Sequence, residues 1–147
     1  MSSPTPDLAV PLRNALINAV AIQALVASYQ GSYAVFTRRP TPDNVYPQIV
    51  VSGEITFGNE DGNNYFAPMM TRDVTAWGLN DVATNFRNVE VLGRAIRDLF
   101  QRQRSSIVVP SWNVTDIQCR GPVRAPSDDD KLVGRLVSVT VRLSAAR

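Results

Sequence analysis

One cysteine, Cys119, and no histidine limit the chemistry open to this chain. A thiol attacks only as its thiolate, which needs a helix N-terminus, a cation or an adjacent base to form. Cys119 stands instead in an alternating, strand-like stretch, so a small buried hydrophobe is expected. Without histidine the commonest general base and the commonest zinc ligand are gone. A lone cysteine also excludes an internal disulfide and any cysteine-rich zinc site. No catalytic, metal-binding or cofactor-binding residue is assigned, and a non-enzymatic role is expected.

The acidic residues Glu60, Asp61 and the run Asp128-Asp129-Asp130 could offer oxygen ligands to a hard cation, but neither segment has the spaced pattern of an EF-hand. Both read more simply as solvated hairpin tips. Gly58 and Gly62 punctuate a turn and precede no helix, so they do not form a phosphate cradle. Arg38-Arg39 and Arg102-Gln103-Arg104 are the local basic clusters. The net charge is only +2, although fourteen of the fifteen basic residues are arginine, a side chain suited to bidentate and interface contacts. A basic nucleic-acid-binding module using Arg38, Arg39, Arg102 and Arg104 stands as an alternative reading. Trp77, Trp112, Tyr46 and Tyr65 fall near strand ends or loops, where aromatic residues act as core lids or interface anchors; the core is preferred for Trp112.

These residues must be held by elements that the patterning predicts. A length of 147 residues with 44% hydrophobic and 19% charged residues fits one domain spanning 1–147. Residues 1–9, rich in Pro and Ser, are expected to be frayed or extended. Leu12, Ala15, Leu16, Ala19, Ile22, Gln23 and Val26 have helical spacing, with Pro11 in the first turn and Gly31 as the stop. Residues 33–36 predict a short strand. Ile49, Val51, Ile55 and Phe57 alternate with polar residues and predict a half-buried strand. Asp61-Gly62 turns that strand into a return strand over 65–79, with Pro68 suggesting an edge or a bulge.

Asp81 is placed as the cap of a second helix whose inner stripe is Val82, Phe86, Val89, Gly93, Ile96 and Phe100, broadened by Leu92 and Leu99. On its outer face Glu90, Arg94 and Asp98 have i,i+4 spacing. The final hairpin pairs 112–124 with 132–144 across the acidic tip. Its first arm changes phase between Val114 and Ile117, which predicts a bulge near Thr115-Asp116. Its second arm alternates through Val133, Arg135, Val137, Val139, Val141 and Leu143, long enough to need a broad sheet or a neighbouring subunit. The order is helix, short strand, hairpin, helix, hairpin. The expected class is α+β: a mainly antiparallel β-sheet with extended β-hairpins and two amphipathic helices packed on one face. The opposite face is left with Ser52, Glu54, Thr56, Thr71, Asp73, Thr75, Ser138, Thr140 and Arg142, plus Trp77. No signal-peptide pattern and no run of 18 apolar residues is present, so the chain is expected in the cytoplasm where it is made.

Four pieces of the chain carry a likeness to a known family. They are the helix over 12–26, the phrase Val45-Tyr46-Pro47-Gln48-Ile49-Val50-Val51-Ser52-Gly53-Glu54, the passage from Val74-Thr75-Ala76-Trp77-Gly78 to Ile96-Arg97-Asp98-Leu99-Phe100, and the closing Gly134-Arg135-Leu136-Val137-Ser138-Val139-Thr140-Val141-Arg142-Leu143. In pattern and order they resemble the tail-completion or tail-terminator proteins of long-tailed, siphovirus-like bacteriophages and gene-transfer particles. The resemblance implies an α+β virion subunit, assembled in the host cytoplasm into a hexameric homo-oligomeric ring at the head-proximal end of the tail tube. Such a ring stops tube polymerisation and joins tail to neck. Its implied partners are the major tail tube protein, a neck or head-completion protein, and DNA passing non-specifically through the opening, with no membrane and no cofactor. Another head-tail connector or stopper of the neck is the alternative within the same structural class. The candidate subunit or ring interface comprises Arg38, Arg39, Asp43, Glu60, Asp61, Tyr65, Trp77, Asp128, Asp129, Asp130, Lys131 and Arg135.

Overall fold

Alternation in the last strand is the organising feature of the structure, a computed structural model. It describes residues 7–37, 45–59, 68–80, 83–127 and 130–145, with only the backbone for 53–59 and 145. Val137, Val139, Val141 and Leu143 are fully buried on one face of this strand, β7 (Leu132–Ala145). Strands β4 (Gln48–Asn59), β5 (Pro68–Leu79) and β6 (Trp112–Arg124) join it in one five-stranded sheet, together with the two-residue β3 (Val35–Phe36). The order is β3-β4-β5-β7-β6, antiparallel throughout except for the parallel β3–β4 pair. The class is α+β, as the patterning predicts.

Helix α3 (Ala83–Phe100) packs on β5, β7 and β6, and α1 (Ala9–Asn18) packs on β3 and β4. Leu12 and Leu16 from α1, and Val89, Leu92, Ile96 and Phe100 from α3, meet Ile49, Val51, Met70, Val74, Ile117 and Val139 in one apolar core. Trp112 and Cys119 belong to that core as well. Burial of this kind contributes on the order of 1.5–3 kcal/mol for each large apolar side chain, so the helices are held by their stripes rather than by propensity.

The bulge expected near Thr115-Asp116 is present: the β6–β7 register slips between Val114, opposite Leu143, and Asp116, opposite Arg142. Thr115 is the extra residue, and its hydroxyl donates to the Arg142 carbonyl at 3.1 Å. A second slip between Arg120 and Val123, at Gly121-Pro122, gives no alternation signal and was not expected.

Several expectations are corrected. The first helix is not continuous, because Ala19 is extended (ψ 120°) and separates α1 from a single turn, α2 (Val20–Gln23). The break lets Ile22 turn into the core, and the Gln23 amide donates to the Ile17 carbonyl at 2.7 Å, covering an acceptor freed there. Gly31 does not stop this helix. With Gln30 it supplies two positive φ angles, 48° and 78°, for a tight turn between β1 (Ser28–Tyr29) and β2 (Ser32–Tyr33). Order also begins earlier than expected: Asp7 caps α1 by accepting from the Ala9 N–H at 3.0 Å, and Leu8 is fully buried. β5 is a central strand, and Pro68 is tolerated as its first residue. Phe86 leaves the α3 stripe and is 39% exposed. Asp81 and Val82 lie outside the described residues.

Candidate interaction surfaces

One end of the sheet's second face carries polar side chains that hydrogen-bond to one another. Thr71 and Thr140, directly opposite each other, share a hydroxyl–hydroxyl bond of 2.9 Å. Ser138 donates to Asp73 Oδ1 at 2.5 Å, and the Asp73 N–H donates to Ser52 Oγ at 3.0 Å. Gln118 donates to Asp116 at 3.1 Å nearby. A Ser–Asp pair resembles part of a hydrolytic triad, but the chain has no histidine to relay the proton. The members of the network are half-buried and hydrogen-bonded to one another.

Toward the β6–β7 turn this face carries apolar side chains. The benzo ring of Trp77 and the Cβ of Ala125 both crowd the position above Gly134, and Trp77 is 7% exposed. Leu136 and Val123 continue the surface, with Val123 exposed. Trp77 thus lies on the face where alternation put it, but with most of its ring already covered within the chain.

Where the root of the β6–β7 hairpin meets α3 there is a groove lined by Phe86, Arg124, Pro126, Leu132, Val133 and Arg135. Arg135 is half-buried and its guanidinium donates to Glu90 at 3.1 Å. Glu90 therefore turns to a strand rather than to Arg94 four residues on, a choice only the packing of α3 on β7 reveals. Lys131 and Asp130 are exposed on the same hairpin. Arg38, Arg39, Asp43, Glu60, Asp61, Tyr65, Asp128 and Asp129 lie outside the described residues. Of the candidate residues, the structure brings together Trp77, Asp130, Lys131 and Arg135 at one end of the sheet.

The two long antiparallel strand pairs are joined at opposite ends of the sheet. The β4–β5 turn follows Asn59, at the end where Met69 pairs with Arg142, whereas the β6–β7 turn lies where Leu79 pairs with Leu132. On the helix side, Val20 (78%) and Val108 (80%) stand exposed, the latter at a groove bounded by Pro11, Ala15, Ala19 and Leu99.

Cys119 faces the core, and burial pushes its thiol up to about 11, with the nearby Arg97 guanidinium pulling weakly the other way. It stays protonated at neutral pH, which suits an inert thiol and not a nucleophile. Among the described residues no three His, Cys, Asp or Glu side chains come together to hold a metal ion, and no helix is long and apolar enough to cross a membrane.

Residues that sequence reasoning did not single out include Arg72 and Gln101. Arg72 is 13% exposed and donates to the Ser52 carbonyl at 2.8 Å, with Asp7 at 3.6 Å. Gln101 accepts from the Cys119 N–H at 2.6 Å. A charged residue at an inward position of β5 was the available signal for Arg72; nothing in the pattern marks Gln101.

No protein-family model matches the chain, and no curated protein matches it. Among solved structures, a chain of the virion of a native gene transfer agent particle is similar in fold, with a TM-score of 0.73 at 11% identity, covering 94% of this chain and 95% of that one.

Proposed function

We propose that this chain is a structural, non-enzymatic virion protein that forms a homo-oligomeric ring at the head-proximal end of a phage-like tail tube, ending tube growth and joining tail to neck. The observation that carries the reading is the end-to-end match in fold to a chain of a gene transfer agent virion. Two features of the molecule support it. The β4–β5 and β6–β7 connections lie at opposite ends of the sheet, which suits an axial joint between two different partners. The exposed valines lie on the helix side while the hydroxyl network faces the other way, so the two faces suit different neighbours.

In this reading the end of the sheet that carries Trp77 on one face, Arg135 on the other and Asp130 and Lys131 at the turn meets a neighbouring subunit or ring. The remaining interface candidates follow from their sequence positions at the connector and the two turns. Rings with a subunit-specific axial joint are heterologous assemblies closed by rotation, and six copies is the number proposed. The test is a particle lacking this protein. Tails of uncontrolled length that fail to join heads are expected; normal-length tails attached to heads would overturn the proposal. Loss of joining with normal tube length would favour a connector or stopper instead.

A further inference from the structure

The second bulge of β6 works against the packing around it. Between Arg120, opposite Ser138, and Val123, opposite Leu136, the strand carries one extra residue, at Gly121-Pro122. Gly121 has a φ of 100°, and a Cβ on it would lie 2.5 Å from the Leu136 carbonyl oxygen, so the position accepts only glycine. One added residue exchanges the faces of all that follow it in the strand. Val123 therefore joins Leu136 on the face away from the helices and is 55% exposed. Arg124 turns to the helix side, directly opposite Arg135. Without the bulge the valine would lie on the helix side and the arginine on the other face. Like charges directly opposite in a sheet are destabilising, and an exposed valine forgoes burial. Breaches of local rules of this kind cluster where a surface serves function rather than packing.

Helix α3 crosses β6 at this bulge. A Cβ on Gly93 would lie 2.9 Å from the Cβ of Pro122 and 3.1 Å from that of Arg135, and the Arg97 guanidinium donates to the Gly121 carbonyl. Arg94 and Arg97, both exposed, thus stand at the crossing with Arg124. Their charge is not answered within the chain. Glu90 is already taken by Arg135 at 3.1 Å. Among the described residues neither Asp98, four positions past Arg94, nor Asp130, on the groove wall, forms an ion pair with any of these arginines. Arg124 shares with Phe86, which is 39% exposed, a groove of about 830 Å³ whose walls include Pro126, Leu132 and Val133.

We propose that this crossing is the docking surface for a carboxylate-bearing, partly apolar segment of a partner protein. Arg94 and Arg124 hold the acid, and the groove beside Phe86 takes an apolar side chain. Guanidinium forks match carboxylates with two bonds at a time, and arginine with aromatic residues is the mixture enriched at protein interfaces. A nucleic-acid duplex is held by several phosphates spread along its backbone, which cations gathered round one groove with apolar walls do not match. The bulge is then the device that brings Arg124 to the contact. This end of the sheet is the one proposed above to meet a neighbour, and the acidic partner rests on that reading; a particle assay tests the joint and a binding assay tests the acid, so the two fail separately.

A display library of random peptides of about twelve residues, selected on the immobilised full chain, supplies the probes, which are then synthesised and titrated. Peptides combining Asp or Glu with a large apolar residue are expected to be selected, and to bind the Arg94→Gln, Arg124→Gln double variant at least about tenfold more weakly than the parent. Arg104→Gln, beyond the C-terminal end of α3, should leave that affinity unchanged. In urea Arg124→Gln should be as stable as the parent or more so, because it relieves the repulsion from Arg135; a clear loss of stability would make this arginine structural and overturn the proposal. So would a selection that yields no peptides or peptides without acidic residues, acidic peptides that bind the double variant as tightly as the parent, or a short DNA duplex that competes as well as they do.

Discussion

Substituting Gly134 by alanine tests how the root of the long hairpin is packed. A Cβ at Gly134 would lie 2.7 Å from Cε3 and Cζ3 of Trp77 and 2.9 Å from the Cβ of Ala125. Carbon atoms pack comfortably at about 3.5–4.0 Å, so the ring must shift by close to 1 Å. Trp77 is 7% exposed and has little room to move. Overpacking of this kind costs about 1–3 kcal/mol, offset by about 0.5–1 kcal/mol from replacing a strand glycine, for a net loss of about 1–2 kcal/mol. Trp77→Ala alone should cost about 3–5 kcal/mol. With the ring gone only the 2.9 Å approach to the Ala125 Cβ remains, and Gly134→Ala in that background should be close to neutral. The double variant is therefore expected to be about 1–2 kcal/mol more stable than the sum of the singles. Urea denaturation at constant m gives the three values. Additivity within about 0.5 kcal/mol would refute the claim that Trp77 is what requires glycine at 134.

Two further outcomes follow from the core edge of β6. The Cys119 thiol sits near 9 when unfolded and about 11 when folded, so the folded state favours the protonated form. Its contribution is fully present below the unfolded value and lost as pH rises from about 9 to about 11, by on the order of 2–3 kcal/mol; Cys119→Ala should flatten that part of the stability–pH curve, and an unchanged curve would refute the assignment. Gln101→Ala removes the acceptor for the Cys119 N–H. It should cost about 1 kcal/mol, speed exchange at that amide, and expose the β6 edge, visible as concentration-dependent light scattering. Scattering and exchange identical to the parent chain would show that Gln101 does not protect the edge.

Much of the architecture was legible in the linear pattern because a half-buried sheet imposes a period of two and a packed helix a period near 3.6. Val137 to Leu143 announced both their strand and their buried face, and the phase change from Val114 to Ile117 announced a bulge that the structure places at Thr115. The break at Ala19 was invisible because alanine breaks no rule there; the helix bends to seat Ile22, a demand set by the sheet below it. Phe86 likewise fits the stripe by spacing, but the helix overhangs the hairpin root at that point and leaves the ring in a groove.

The candidate surface was less legible than the fold, for a physical reason. Composition by itself determined what the chain lacks, histidine and a second cysteine, and its periodicity determined the strands, the order of elements and the α+β class. Which polar groups meet is a property of register, and register couples residues far apart in the chain, such as Thr71 and Thr140, 69 positions apart. Only the tertiary structure could decide that Glu90 pairs with Arg135, that Arg72 ties Asp7 to Ser52, and that Gln101 and Arg102 cover the edge of β6. Those pairings depend on how far helix and sheet approach one another, and no local pattern along the chain encodes that distance.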